Sequence, residues 1–273
     1  MVIFMIRDIT IGQYYASDSV IHKLDPRVKV VCTFAYIISL FCFSQLSGYI
    51  IAVLFFWGIT KLSKVPFKFI VRGIKPILFM LVFTAMLNLF WTSGGNVLIK
   101  IGIITITEEG VKRTVFMALR LIFLIIGSSI MTLTTTPNQL TDAIEKLLKP
   151  LNKLKVPVHE IAMMMSIALR FIPILVEETD KIMKAQLARG ADFESGNVFQ
   201  RIKSMVPIII PLFVSAARRA SDLALAMDAR CYNGGEGRTR MKPLKYNGQD
   251  IAAYLIMALY ITVIIITGRY LPL

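Results

Sequence analysis

Residues that carry chemistry are scarce in this sequence. It has two histidines, His22 and His159, and three cysteines. His159-Glu160 begins like a zinc-protease helix, but no second histidine stands four residues on, so that reading fails. No Gly-Lys dipeptide occurs, which excludes a Walker A phosphate loop. Cys32 and Cys42 lie in an apolar run and Cys231 near the end of a long helical pattern. That spacing supports neither a disulfide framework nor a zinc site. Asp222 and Asp228 are too far apart for the aspartate-rich diphosphate site of a membrane transferase. No carboxylate lies at the centre of an apolar stretch, where an ion-coupled carrier usually needs one. Arg7 and Asp8 break the N-terminus before an apolar h-region forms, so no cleavable signal peptide is expected. No catalytic constellation, metal site or cofactor site is legible. A secondary transporter and a membrane-embedded transferase stand as alternative classes, each without its signature.

Acidic residues are also few: 17 Asp+Glu against 31 Lys+Arg, a net charge of +14. In a soluble chain that excess points to nucleic acid. Here the basic residues lie between apolar runs. The positive-inside bias and anionic lipid headgroups explain them better, and no nucleic-acid partner is expected.

What the chain has in abundance is hydrocarbon. It is 56% hydrophobic, with a mean hydropathy of +0.66. The apolar block from Lys29 to Lys61 would make one helix of roughly 46 Å, too long for a hydrocarbon core of about 30 Å. Ser44-Gln45-Leu46-Ser47-Gly48 breaks it into a hairpin of two spans, 27–44 and 47–63. A third span covers 74–91, ended by Ser93-Gly94-Gly95-Asn96, and Trp91 suits an interface. Val97 to Thr107 is β-branched and alternating, a short hairpin or an interfacial strand pair. Further spans cover 111–134 and 251–268. Arg120 lies inside the fourth and reads as a packed, hydrogen-bonded charge rather than a functional one. Five spans put the Lys/Arg-rich segments on one side, including 142–245 with its 17 Lys+Arg and 11 Asp+Glu. The N-terminus is then cytoplasmic and the C-terminus outside. Lys100, Lys112 and Arg113 face outward in that arrangement.

The expected fold is an all-α integral membrane protein: about five transmembrane helices plus long cytoplasmic helices. Its parts are an N-terminal membrane bundle (1–134), a cytoplasmic region (135–248) and a last transmembrane helix (249–273). In the middle region Thr136-Pro137-Asn138-Gln139 starts one helix. Val156-Pro157 starts a longer one, kinked near Pro173. Its second half sets Ile172, Leu175, Val176, Thr179, Met183 and Leu187 against a charged face of Glu177, Glu178, Asp180, Lys181 and Lys184. Pro207 and Pro211 lead into another helix, to about Cys231. Its predicted stripe is Phe213, Ala216, Ala217, Ala220, Leu223, Ala224 and Met227, with Arg218 and Arg219 free to pair with Asp222. Asn233-Gly234-Gly235-Glu236-Gly237 reads as an exit loop.

Both long helices close on alanine, arginine and a small residue: Ala188-Arg189-Gly190 and Ala229-Arg230-Cys231. One such arginine is ordinary compensation of a helix dipole. Two, in the same local setting, point to a charge-based docking site, since arginine grips a carboxylate at two points. Met163, Met164 and Met165, with Met183, Met205 and Met227, offer an adaptable apolar surface, although core packing is the ordinary role of any one of them.

These motifs carry a resemblance. Ser19-Val20-Ile21-His22-Lys23-Leu24-Asp25-Pro26-Arg27-Val28-Lys29 is similar to the opening of the transmembrane T-components of energy-coupling factor transporters, the CbiQ-like family. The two Ala-Arg-small tripeptides resemble that family's Ala-Arg-Gly-type motifs, with Cys231 in place of glycine. Leu169-Arg170-Phe171-Ile172-Pro173 and the Glu177-Glu178 helix also resemble it. The likeness covers nearly the whole chain. It implies a non-catalytic subunit of an ATP-driven importer of vitamins or other micronutrients in the cell membrane. Two coupling helices, 157–190 and 205–231, would dock through Ala188, Arg189, Gly190, Ala229, Arg230 and Cys231 onto two ABC-type ATPase subunits. Those partners would bind ATP and Mg; this chain would hold no cofactor. The apolar faces, with Met163, Met164, Met165, Pro173, Met205 and Pro211, would hold a membrane-embedded substrate-binding S-component.

Overall fold

Two helix starts in this chain, Asp25-Pro26 and Thr136-Pro137, are set by a short polar residue followed by proline. The computed structural model describes residues 14–43, 45–91, 94, 97–101, 104–193, 197–234 and 243–270, with only the backbone at 97–106, 198, 269 and 270. Arg7, Asp8, Ser44, Ser93, Gly95, Asn96 and the exit loop from Gly235 lie outside those residues. The helices are α1 (Val20–Lys23), α2 (Pro26–Phe41), α3 (Leu46–Ser63), α4 (Phe67–Arg72), α5 (Leu78–Trp91), α6 (Glu108–Thr134), α7 (Pro137–Leu148), α8 (Val158–Ala188), α9 (Val198–Ala229) and α10 (Gly248–Tyr270). One antiparallel hairpin interrupts them: β1 (Val97–Ile101) and β2 (Ile104–Thr107), with Val97 opposite Thr107. The 97–107 segment is thus the strand pair its alternation suggests. The rest of the fold is helical, as expected of an all-α membrane protein.

Among the described residues five helical segments are long and apolar enough to cross a membrane: Leu46–Ser63, Phe67–Trp91, Glu108–Thr134, Val158–Ala188 and Gly248–Gly268. Four of them, Leu46–Ser63, Phe67–Trp91, Glu108–Thr134 and Gly248–Gly268, are expected spans. The first expected span, 27–44, is α2, which has 16 residues and stops at Phe41. It lies along α6 all the same, with Lys29 bonded to the Thr134 carbonyl at one end and Arg120 to the Phe43 carbonyl near the other. α8, expected in the cytoplasmic region, also has the length of a span, its stretch from Ile161 to Ile172 being charge-free except for Arg170. The third span also starts earlier than expected, at Phe67, through α4 and a 3-10 turn at Lys75–Ile77. On α5, Phe79 and Trp91 are 82% and 84% exposed, the pattern of a lipid-facing helix.

The chain forms two compact units. The membrane unit holds Gly12–Ala143 and Leu244–Leu273, and the second unit holds Ile144–Pro243. In the membrane unit α2, α3, α6 and α10 close around Tyr36, Leu40, Tyr49, Phe123, Tyr260 and Ile264. Phe55 stacks on Tyr260 at 4.0 Å between ring centroids, and Tyr49 on Phe116 at 5.4 Å. Gly48 is required at the start of α3, because a Cβ there would meet the Phe43 ring at 2.3 Å. Arg120 is packed as expected: its Nη2 donates to the Phe43 carbonyl at 2.9 Å and its guanidinium lies 5.5 Å from the Phe41 ring.

The Ser19–Lys29 motif acts in this unit as a staple. Ser19 caps α1, accepting the His22 N–H at 3.3 Å, and its hydroxyl meets His22 Nδ1 at 2.6 Å. The other ring nitrogen, Nε2, donates to the Tyr15 carbonyl at 2.9 Å, and burial holds the His22 pKa below its ordinary value. Asp25 caps α2 and takes a two-point grip from Arg27, at 3.0 and 2.7 Å. Burial pushes the Asp25 carboxyl up, but the Arg27 donors outweigh it and the pKa lies below its usual value. Asp250, 1% exposed on α10, accepts the Asp25 N–H at 2.8 Å and the Asn247 N–H at 2.7 Å. Lys29 Nζ donates to the carbonyls of His22 and Thr134, the latter an orphan at the end of α6. Each buried charge therefore has partners, as burial demands.

Candidate functional site

The second unit is built on α8 and α9, and its local chemistry starts with proline. Pro173 sits inside α8, and Pro207 and Pro211 sit inside α9. The expected start of α9 after the prolines is therefore corrected. The helix begins at Val198, where Gln200 Oε1 accepts the Asn197 N–H at 3.1 Å in a capping box. Pro211 has no N–H to give the Pro207 carbonyl four residues earlier. Gln186 of α8 supplies the donor instead, Nε2 to that carbonyl at 3.4 Å. A backbone vacancy on one helix thus ties it to the other.

A second tie lies nearer the middle of α8. Arg219 Nη2 meets Glu178 Oε2 at 3.1 Å, with the two side chains 40% and 22% exposed. Arg219 therefore reaches across the pair instead of to Asp222. Glu178 opposes Arg219 while Gln186 opposes Pro207, so the helices run antiparallel. The inner face of α9 is Ile208, Leu212, Ser215, Ala216, Arg219, Leu223 and Met227, each buried or half-buried. This corrects the expected alanine stripe: Ala216, Leu223 and Met227 belong to the inner face, whereas Phe213 (73% exposed), Ala217, Ala220 and Ala224 are exposed. On α8, Met183 is buried and Leu187 is exposed. His159, at the start of α8, meets Glu145 of α7 at 3.1 Å.

The two Ala-Arg-small tripeptides adopt one structure. Arg189 is the C-cap of α8 and Arg230 of α9. After each, the chain turns left-handed, φ 84° at Gly190 and φ 54° at Cys231. Ala191 N–H bonds the Gln186 carbonyl and Gly190 N–H the Leu187 carbonyl, both at 3.0 Å. Tyr232 N–H bonds the Met227 carbonyl at 3.0 Å and Cys231 N–H the Asp228 carbonyl at 2.9 Å. Both ends are Schellman caps, which settle the last carbonyls. Ala188, Arg189, Gly190, Ala229, Arg230 and Cys231 are all exposed. The small residue after each arginine is there for the left-handed turn.

The caps are also placed alike. Arg189 stands 11 residues beyond Glu178, and Arg230 stands 11 residues beyond Arg219. Eleven residues are about three helical turns, so each arginine returns to the azimuth of its ion-pair member, roughly 16 Å along the axis. The helices being antiparallel, the two arginines stand at opposite ends, on the order of 30 Å apart along the pair.

The expected apolar face divides. Met163 is half-buried, while Met164, Met165, Pro173, Met205 and Pro211 are exposed. Phe199 (79%) and Phe213 (73%) on α9 are exposed apolar residues as well. Gln186 was not singled out from sequence, and Glu178 and Arg219 were placed on charged faces without the contact that joins them across the pair. The spacing of Pro207 and Pro211 was the available signal for Gln186, since it frees a carbonyl.

Known proteins match this chain over its length. The family profile described as "Cobalt transport protein" (CbiQ) matches residues 17–241. The chain is 55% identical over 264 residues to an energy-coupling factor transporter transmembrane protein of Clostridium kluyveri, covering 96% of this chain and 98% of that one. It is 54% identical over 253 residues to the protein of that name in Thermosediminibacter oceani, covering 93% and 95%. With the protein of that name in Bacillus subtilis the identity is 46% over 257 residues, covering 93% and 97%. A multi-pass membrane chain with paired arginine caps and end-to-end similarity to these transport proteins belongs to the CbiQ family, the transmembrane components of energy-coupling factor transporters.

Proposed function

We propose that this chain is the coupling subunit of an ATP-driven importer of vitamins or other micronutrients, in the cell membrane with its N-terminus in the cytosol. It performs no chemistry of its own. Two ABC-type ATPase subunits bind ATP and Mg, and each takes one arginine cap into an acidic groove. A membrane-embedded substrate-binding subunit rests on the exposed apolar surface around Met164, Met165 and Met205. When the ATPases close, they displace the ends of α8 and α9, and the pair transmits that motion to the substrate-binding subunit.

The observation that carries this reading is the repeated cap: two exposed arginines, each presented by a Schellman turn, each three turns from one shared ion pair. Arginine at a rigid helix end loses little freedom on meeting a planar carboxylate. The test is charge reversal. Arg189→Glu and Arg230→Glu each replace attraction by repulsion, and a desolvated contact of this kind loses roughly 2–5 kcal/mol, a 30-fold or larger fall in affinity. Membrane insertion should be unaffected, because both side chains are exposed. The double variant should fail to co-purify with the ATPases and should not support uptake at wild-type membrane levels. Lysine should restore less than the shared charge suggests. Normal assembly and transport in the double variant overturn the assignment.

A further inference from the structure

The membrane unit carries a second concave site that the coupling role leaves unused. A cleft of about 580 Å3 is lined by Phe41 at the end of α2, Asn88 on α5, and the cations Lys112, Arg113 and Arg120 on α6. The α6 residues share a face, since 109, 113, 116 and 120 recur at helical spacing. The charged residues Glu108, Glu109, Lys112 and Arg113 fill the first two turns of α6, where Lys112 and Arg113 are exposed. That end therefore lies at the membrane surface.

Helix length explains the cleft. α2 has 16 residues and α3 has 18, about 24 and 27 Å, while α6 has 27 residues, about 40 Å. The turn between α2 and α3 is tied to Arg120 through the Phe43 carbonyl. Arg120 lies seven residues beyond Arg113, roughly 10 Å further along the axis. The α2–α3 turn thus stops about two turns short of the charged end of α6, leaving a notch at the surface.

The lining is two-faced. Its polar part holds three cations against one carboxylate, Glu109, which lies against Gly94. Lys112 shares its charge with Glu108 at 3.1 Å. The N-terminus of α6, capped by Thr107, adds positive potential. The apolar part is Phe41 (60% exposed), Met117 (40% exposed), Phe116 and Leu121. A free phosphate satisfies only the first part, and a zwitterionic lipid brings a further cation into the cluster.

We propose that the notch binds one anionic phospholipid, its phosphate held by Arg113 and Arg120 and an acyl chain laid along Phe41 and Met117. This does not rest on the coupling role. The test uses the full chain in mild detergent, loaded with phosphatidylglycerol or phosphatidylcholine and weighed by native mass spectrometry. One phosphatidylglycerol should be retained at least about ten-fold more than phosphatidylcholine. Arg113→Gln should cut retention by about ten-fold, the worth of one charge-assisted contact. Arg120→Gln should cut it further. Should that variant not insert, Arg113→Gln combined with Lys112→Gln carries the test, because both side chains are exposed. Arg201→Gln on α9 should change nothing, and millimolar inorganic phosphate should not displace the lipid. Equal retention of the two lipids, unchanged retention in the Arg113/Lys112 double variant, or displacement by inorganic phosphate overturns the proposal.

Discussion

Cys231 holds a left-handed backbone, φ 54°, at a position where glycine is free of cost. An L side chain there costs roughly 1 kcal/mol. Cys231→Gly should therefore stabilise the chain by about 0.5–1 kcal/mol, and Gly190→Ala should destabilise it by about as much, both read from thermal unfolding in detergent. The Gly190 effect is purely conformational, since nothing stands within 4 Å of a Cβ built there. The motif was legible as alanine, arginine and a small residue. Its cause was not, because a tripeptide does not display the sign of φ. His22 gives a second test at this scale. Burial lowers its pKa from 6.5, so the folded state prefers the neutral ring that donates to Tyr15 and accepts from Ser19. The unfolded ring takes a proton first as pH falls. His22 should therefore contribute fully above about pH 6.5 and progressively less as pH drops through the folded value. The melting temperature should fall on acidification from pH 7.5, and His22→Asn should flatten that part of the profile.

Between elements, the tie from Gln186 to Pro207 exists only because Pro211 lacks an N–H. Pro211→Ala restores the donor within α9. In that background Gln186→Ala should be neutral, whereas alone it should cost about 0.5–1 kcal/mol, the net worth of one hydrogen bond. A double-mutant cycle on unfolding measures the coupling; equal costs in both backgrounds remove the account. Element boundaries were legible where caps are local. Thr136 and Gln139 announce α7, and their reciprocal bonds measure 3.1 and 3.3 Å. They were misread where proline was taken as a helix start: Asn197 and Gln200 had already started α9 ten residues before Pro207. The register of α9 on α8 was illegible for another reason. Its inner face includes Arg219, whose place there depends on Glu178, 41 residues away.

Over the whole molecule, apolar crossings were legible in composition, but length and composition alone do not separate α2, which lies along α6, from α8. α2 is short at 16 residues, and α8 is apolar in one half and charged in the other. An odd number of crossings with a cytosolic N-terminus places the C-terminus outside. A reporter fused after Leu273 should be active only outside; cytosolic activity there, with the N-terminus inside, removes the odd count. The two arms of the α8–α9 pair are of equal length, 11 residues either side of the Glu178–Arg219 contact. A pair of shears with equal arms converts equal pulls at its tips into pure rotation about the rivet, and unequal pulls into sideways drift. Under the proposed coupling role, two ATPases that hydrolyse in step would therefore open or close these blades about a fixed point, whereas one acting alone would drag the whole pair. A complex with one inactivated ATPase should lose far more than half of its transport.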